Sequence, residues 1–393
     1  MLKTNLSPWP SFTEEEAEAV KQVILSNKVN YWTGQECRNF ETEFATWCQS
    51  KYAVAVGNGT LALDACLAAL QIGPGDEVIV TARTFLASVS AIINTGACPV
   101  FADVDRNSQN IDAATIAPLI TEKTKAIVCV HLAGWPCEMD EIIELAKANN
   151  IKTIEDCAQA HGAKYKGKPV GSIGDIAAWS FCQDKIMTTG GEGGMITTND
   201  ETLWNKAWSL KDHGRSWDAV YNRTYPPGFN FRWQIESFGH NWRMTEVQGV
   251  IGRIQLKRME NWTTKRTTNA QSIFNAVKDI PTIRASQPPS HSQHAWYKCY
   301  LFVDKKALKP DWSRDRIMNE INALGIPCMQ GACPEVYLEK AFDNTPFRPS
   351  TRLPIAKELG ETSLMFLVHP TLSAVEIERT CTAIKNTAMS AQR

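Results

Sequence analysis

The chain has 393 residues, of which 44% are hydrophobic and 21% charged, with a formal net charge of −1. That length suggests two or three domains with sizeable cores. The charge balance excludes a surface built on excess basic residues for nucleic acid, and no polybasic run marks a membrane surface. No apolar stretch reaches the roughly 18 residues of a membrane-spanning helix. The N-terminal MLKTNLSPWPSFTEEE lacks the apolar core of a secretion signal.

Thr13-Glu14-Glu15-Glu16 has the form of a capping box and opens a helix with Val20, Val23 and Ile24 on one stripe. Phe40, Phe44 and Trp47 mark a second helix by their i, i+4, i+7 spacing. Tyr52 to Val56 reads as a buried strand. Gly57-Asn58-Gly59-Thr60 follows, then a helix from Leu61 to Leu70. Strand, glycine turn and helix point free backbone N–H groups at an anion. Strands are expected at Glu77 to Thr81, Pro99 to Ala102, Ala126 to Val130 and Lys152 to Glu155. Helices are expected at Phe85 to Asn94 and Glu138 to Ala148. This rhythm predicts an α/β layer with a mostly parallel sheet, which binds ligands at the carboxyl ends of its strands.

The stretch from Ile154 to Thr198 carries the chemistry. An apolar run ends in Glu155-Asp156. A second, Ile176 to Phe181, delivers Lys185 into the loop Gly190-Gly191-Glu192-Gly193-Gly194, and a third covers Met195 to Thr198. From Trp217 to Trp242 no period survives among aromatics, Pro and Gly, as expected of a functional or interface loop. Thr245-Glu246-Val247-Gln248 then caps a long helix running through Met259. A strand is expected at Trp296 to Val303, a helix capped by Ser313, a short strand at Met365 to Val368, and a terminal helix opened by Ser373. The expected division is a large domain over 1–250 and a smaller C-terminal α/β domain over 251–393, joined by the long helix.

An isolated lysine is usually a solvated surface group. A lysine after a buried strand and before glycines is a candidate for Schiff-base chemistry, because low dielectric favours its neutral amine. Pyridoxal phosphate (PLP) also needs a carboxylate at its ring nitrogen, donors for its phosphate and an apolar ring face. Asp156 is the candidate carboxylate; Gly59, Thr60 and Ser180 are the candidate phosphate donors; Phe85 is the candidate face. Taken singly, each has an ordinary structural explanation: a cap, a common βα turn, a core phenylalanine. The 12 cysteines include no C-x-x-C pair, so buried reduced thiols in a cytoplasmic protein are expected. His291-x-x-His294 is not expected to bind metal, and no metal site is expected elsewhere. His161, His213, Glu192 and Trp32 are each as well explained by structure as by substrate contact.

Taken together, EDCAQAHGAKYKGKPVGSIGDIAAWSFCQDKIMTTGGEGGMITTND, Gly59-Thr60, Thr84-Phe85 and Asn241-Trp242-Arg243-Met244-Thr245-Glu246 resemble the DegT/StrS family of sugar aminotransferases. These belong to the aspartate-aminotransferase fold type, PLP-dependent fold type I. The resemblance implies that Lys185 binds the cofactor covalently and later shuttles protons. It implies that Asp156 pairs with the pyridine nitrogen, Gln159 lies near the ring hydroxyl, Phe85 stacks on the ring, and Thr60 and Ser180 hold the phosphate. It implies that Asn241 reaches the phosphate of a second subunit, so the active unit is a homodimer with shared sites. The Trp217–Trp242 loop would then cross to the neighbour. Family members with histidine in place of the lysine dehydrate sugars; Lys185 therefore implies transamination. By family expectation L-glutamate is the amino donor. The acceptor is a nucleotide-linked 4-keto-6-deoxyhexose, with a 3-keto sugar as the alternative, feeding O-antigen or related amino-sugar synthesis. Arg243 is expected either to meet a substrate anion or to form a structural ion pair. A non-catalytic regulator of the same fold is the competing class, which the intact Lys185, Asp156 and Ser180 disfavour.

Overall fold

The computed structural model describes residues 6–228 and 232–393. Residues 229–231 of the aromatic segment and residues 1–5 lie outside that description. Seven strands form the large sheet. Across it they run Tyr52–Val56, Gly194–Thr198, Ile176–Ser180, Lys152–Asp156, Thr124–Val130, Glu77–Thr81 and Cys98–Ala102. The last five are mutually parallel, while Gly194–Thr198 is antiparallel to both its neighbours. The expected mostly parallel sheet is what forms. Ile176–Ser180 and Gly194–Thr198 are buried at every position, as near-continuous apolar runs should be when both faces of a sheet are covered.

A second sheet of four antiparallel strands runs Ile283–Arg284, Cys299–Val303, Ser363–Phe366 and Cys328–Met329. Its core joins the helices Met259–Val277, Arg314–Ala323 and Ala374–Ala391. Tyr300, Phe302 and Met365 on this sheet belong instead to the apolar cluster of the large sheet, so the two units meet through them.

The linking helix is two helices. Glu246–Lys257 begins with the expected capping box: the Thr245 N–H donates to Gln248 Oε1 at 2.9 Å, and Gln248 N–H to Thr245 Oγ1 at 3.4 Å. It packs on Glu14–Leu25 and Glu36–Trp47. Met259–Val277 starts anew after Arg258 and packs on Ala374–Ala391. Residue 250, the expected boundary, lies within the first of these helices. The helix Glu14–Leu25 also differs from its apolar stripe. Glu16 and Val23 are its buried residues and Ile24 is exposed. Glu16 is buried because it accepts from Thr13, Gln255 and Arg258.

Three further differences have local causes. The helix expected from Phe85 starts at Ala87, leaving Phe85 outside the regular hydrogen bonding. The strand expected from Trp296 starts at Cys299, because Trp296 has a φ of 53°, which breaks a pleat. Within the aromatic segment, Trp217–Tyr221 forms a short helix capped by Ser216. Among the described residues no helix is long and apolar enough to cross a membrane.

The first strand, which leads into Gly57–Thr60, is held by a buried charge cluster. Glu41 accepts from the Ala55 N–H at 2.8 Å, from Lys211 Nζ at 2.9 Å and from Tyr31 Oη at 3.0 Å. Lys211 is fully buried and also lies 3.7 Å from the Tyr31 ring centroid. Removing one partner strands the other charge in the interior. Glu41→Ala should therefore cost roughly 3–5 kcal/mol in chemical denaturation. A Glu41→Met, Lys211→Met double variant should lose much less than Glu41→Ala alone. Equal losses would mean that the charge pairing contributes nothing beyond packing.

Candidate active site

The carboxyl ends of the parallel strands open into a cavity of ≈ 800 Å³ that the small unit covers from the other side. Gly59, Thr60, Phe85, Asp156, Gln159, Ser180 and Lys185 all line it. Residues expected from separate stretches of sequence thus share one wall-to-wall space. Asn241 does not line it. It is exposed and pairs through its backbone with Asp212. Its neighbour Trp242 accepts the Gly57 N–H at 2.9 Å, so the segment runs alongside the glycine turn of its own chain.

Lys185 sits in the loop after Ile176–Ser180. Its N–H donates to Cys182 O at 3.0 Å, and its carbonyl accepts from Trp9 Nε1 at 2.8 Å. The side chain is 18% exposed; Nζ lies 3.6 Å from Asp184 Oδ1 and 5.1 Å from the Tyr297 ring centroid. Asp184 also accepts a short hydrogen bond from Tyr297 Oη. Burial works against the charge of Asp184, but Lys185 and Tyr297 outweigh it and hold its carboxyl below the ordinary value.

Asp156 ends its strand pointing into the cavity. Oδ2 accepts from Ser88 Oγ at 2.7 Å and Oδ1 from the Ala158 N–H at 3.1 Å. Ser88 is in turn bonded to Thr84, 2.9 Å between hydroxyls. Burial raises the Asp156 pKa, against the pull of Ser88, Ala158 and Lys185. Among the described residues no cation forms an ion pair with it. Glu155 points to the opposite face, as adjacent strand residues must. It accepts from His131 Nε2 at 3.0 Å and from the N–H groups of Gly171, Ile173 and Gly174 at 2.8, 2.9 and 2.7 Å.

At the glycine turn, Asn58 caps the helix Gly59–Ala69 by accepting from the Leu61 N–H at 3.0 Å. The first helical N–H groups, Gly59 and Thr60, have no intrahelical acceptor and face the positive end of the dipole outward. A Cβ on Gly59 would lie 2.5 Å from Ser180 Cβ, so only glycine lets this turn approach the adjoining strand. Gln159 Oε1 accepts from the Ala133 N–H at 2.8 Å. Phe85 is 70% exposed to the cavity.

These features fit PLP. The open helix start and Ser180 suit a phosphate, exposed Phe85 suits a flat ring, and buried Asp156 lacks the countercharge that a protonated ring nitrogen supplies. The small unit adds Tyr297, Lys298, Tyr300, Met329 and Gly331 to the cavity, none of which the sequence reading singled out. Lys298 within an apolar run was a usable signal. So was Ser88, one helical turn beyond Phe85. Other candidates fall outside the chemistry. Arg243 makes a short ion pair with Asp212, which Arg215 also meets at 2.9 Å. Trp32 packs among Trp208 and Tyr221. His213 is exposed and His161 is buried against Trp179 and Phe181. Glu192 does line the cavity. His291 bonds Glu138 at 3.0 Å, and His294 Nδ1 accepts from the Trp296 N–H at 2.8 Å.

Residues 10–385 match the model of the DegT/DnrJ/EryC1/StrS aminotransferase family. The chain is 43% identical to GDP-perosamine synthase of Escherichia coli O157:H7 over 261 residues, 65% of this chain and 67% of that protein. It is 34% identical to dTDP-3-amino-3,6-dideoxy-alpha-D-galactopyranose transaminase of Aneurinibacillus thermoaerophilus, covering 95% of each. Among solved structures, an aminotransferase from Psychrobacter cryohalolentis shares 62% identity and a TM-score of 0.97, covering 98% of this chain and 99% of that one.

Gly59→Ala should disturb the cradle without unfolding the chain. The expected result is a loss of PLP affinity of about tenfold or more, equivalent to one lost charge-assisted contact, accompanied by a lower melting temperature of the cofactor-free protein, because the added Cβ meets Ser180. Unaltered PLP affinity in a titration followed by absorbance would show that this turn does not hold the phosphate.

Proposed function

We propose that this chain, which belongs to the DegT/DnrJ/EryC1/StrS aminotransferase family and is a PLP-dependent nucleotide-sugar aminotransferase, moves the amino group of L-glutamate to C4 of a nucleotide-linked 4-keto-6-deoxyhexose. One observation carries this: Lys185 and Asp156 line the same cavity as the open helix start at Gly59–Thr60 and the exposed ring of Phe85. A 3-keto acceptor is the second reading, supported by the dTDP-3-amino sugar transaminase among the relatives; the greater identity to a GDP-perosamine synthase leads us to prefer the first.

When bound, PLP supplies an electron sink for negative charge developing at the donor α-carbon. We assign the other roles to the chain as follows. Gly59 and Thr60 donate backbone N–H groups to the phosphate, and Ser180 donates its hydroxyl. Asp156, oriented by Ser88 and Ala158, keeps the ring nitrogen protonated. Phe85 covers one ring face, and Gln159 borders the ring hydroxyl. Lys185 holds the cofactor until the donor arrives. Its amine, once freed, would take the proton from the donor α-carbon and pass it to the bound cofactor, and in the second half-reaction would carry a proton from the cofactor to the sugar carbon. The small unit excludes water from this transfer. Asn241 acts from the second subunit of a homodimer in the cytoplasm, and the product serves surface-polysaccharide or related amino-sugar synthesis.

The purified protein should be yellow, lose that colour on addition of L-glutamate, and regain it with a UDP-, dTDP- or GDP-linked 4-keto sugar. Lys185→Ala should abolish the glutamate response. A colourless protein that takes up no PLP defeats the assignment. Bound PLP that no amino donor alters favours a regulator. A product aminated at C3 by NMR selects the second reading. Sedimentation should give a dimer, and a strictly monomeric active protein removes Asn241 from the site.

A further inference from the structure

A second cavity, ≈ 300 Å³, lies behind the Lys185 loop. Ser7 to Trp9 of the N-terminal segment form one side, and Val368 and His369 another. It shares three residues with the active-site cavity: Asp184, Tyr297 and Lys298. These three form the wall between the two spaces.

The cavity also exposes an unusual cation. Arg266 is only 1% solvent-accessible, yet its Nε and Nη2 have no hydrogen-bond partner among the described residues. Its Nη1 meets only the carbonyls of Trp296 and Tyr297, at 3.3 and 3.5 Å, and its guanidinium lies 5.0 Å from the Trp9 ring centroid. Among the described residues no carboxylate pairs with it. Asp184, the acid of this cavity, has Oδ1 toward Lys185 and Oδ2 taken by Tyr297. His369 is engaged with Thr371 at 2.9 Å, and burial pushes its pKa down to about 3, so it adds no charge at neutral pH. Burial, with Arg266 and Lys185 nearby, also pushes Lys298 down to about 8 against the opposing pull of Asp184.

A buried guanidinium with two unpaired donors is costly unless an anion completes it. Its planar fork matches a carboxylate in particular. We propose that this cavity is a carboxylate subsite in which Arg266 and Lys298 seat the side-chain carboxylate of a dicarboxylic amino donor, its amino group directed past Tyr297 toward Lys185. The same seat accepts the distal carboxylate of the 2-oxo acid that leaves. This rests on the reading that the donor is glutamate. It would explain how a site shaped for a bulky nucleotide sugar also discriminates among small amino acids.

Glutarate and butyrate test the subsite without chemistry, since neither carries an amine. Calorimetry on the PLP-loaded protein should show glutarate binding at least about tenfold tighter than butyrate, the usual weight of one bidentate charged contact. Lys298→Met and Arg266→Met should each weaken glutarate by about tenfold or more. Both should raise KM for L-glutamate by a similar factor, and Arg266→Met, which lies outside the active-site cavity, should leave KM for the keto sugar and the PLP absorbance unchanged. Arg266→Lys, which retains a buried cation, keeps the test open if Arg266→Met does not fold; it should lose part of the affinity. Glutarate no tighter than butyrate, or affinity within twofold of wild type in every folded variant, overturns the subsite. If glutarate affinity falls in the variants but wild-type protein never reacts with glutamate, the subsite stands and the donor reading falls. If glutamate reacts with unchanged KM in the variants, the reverse holds.

Discussion

The site depends first on a carboxylate that never touches it. Glu155 is fully buried and accepts from His131 and from three backbone N–H groups of the 171–174 turn. Burial disfavours its charge, yet His131 and the Gly171 and Gly174 amides more than offset that, and its carboxyl stays below the ordinary value. A group so fully satisfied fixes the end of its strand in both position and rotation. Because side chains alternate, fixing Glu155 on one face fixes Asp156 on the other. The order matters. A carboxylate at the cavity mouth would turn toward water if its strand end frayed, and Glu155 is what prevents fraying.

The same economy governs Lys185. Its loop is held at both backbone groups, by Cys182 and by the Trp9 indole from the far end of the chain. The N-terminal segment is itself tied to the terminal helix, with the Ser7 N–H donating to Glu376 at 2.5 Å. The lysine therefore belongs to the large unit by sequence, but its position depends on contacts with the small one. Tyr297 and Lys298, just ahead of the strand Cys299–Val303, close over it. A cavity lined from both units is walled without a dedicated lid.

The sequence displayed the parallel sheet well, since buried runs such as Ile176–Ser180 have few alternatives. The candidate residues were visible for the same reason: each follows a strand, and strand ends are where such sheets gather ligands. What stayed hidden lay outside regular periodicity. Trp296 takes a positive φ, which no apolar pattern signals, so an eight-residue strand was read where five residues pair. Glu16 and Lys211 occupy buried positions that patterning reserves for apolar residues; beyond the Thr13 capping box, the partners that explain them lie more than a hundred residues away. Arg266 was invisible as a candidate because a lone arginine on a polar helix normally faces solvent.

Mismatches between residue type and environment point to the groups that complete this molecule. Phe85 is apolar and exposed; Asp156 is acidic and buried without a cation; Arg266 is basic and buried without an anion. Each is unfavourable in isolation, by an amount that folding alone has no reason to tolerate. The first two face one cavity and are resolved together by a single flat, cationic heterocycle. The third faces the adjoining cavity and is resolved by an anion. Their signs are opposite and a narrow wall of Asp184, Tyr297 and Lys298 separates them. The cofactor ring answers the first demand, so what is left for an amino donor to supply is the anion at Arg266, which a donor without a distal carboxylate lacks.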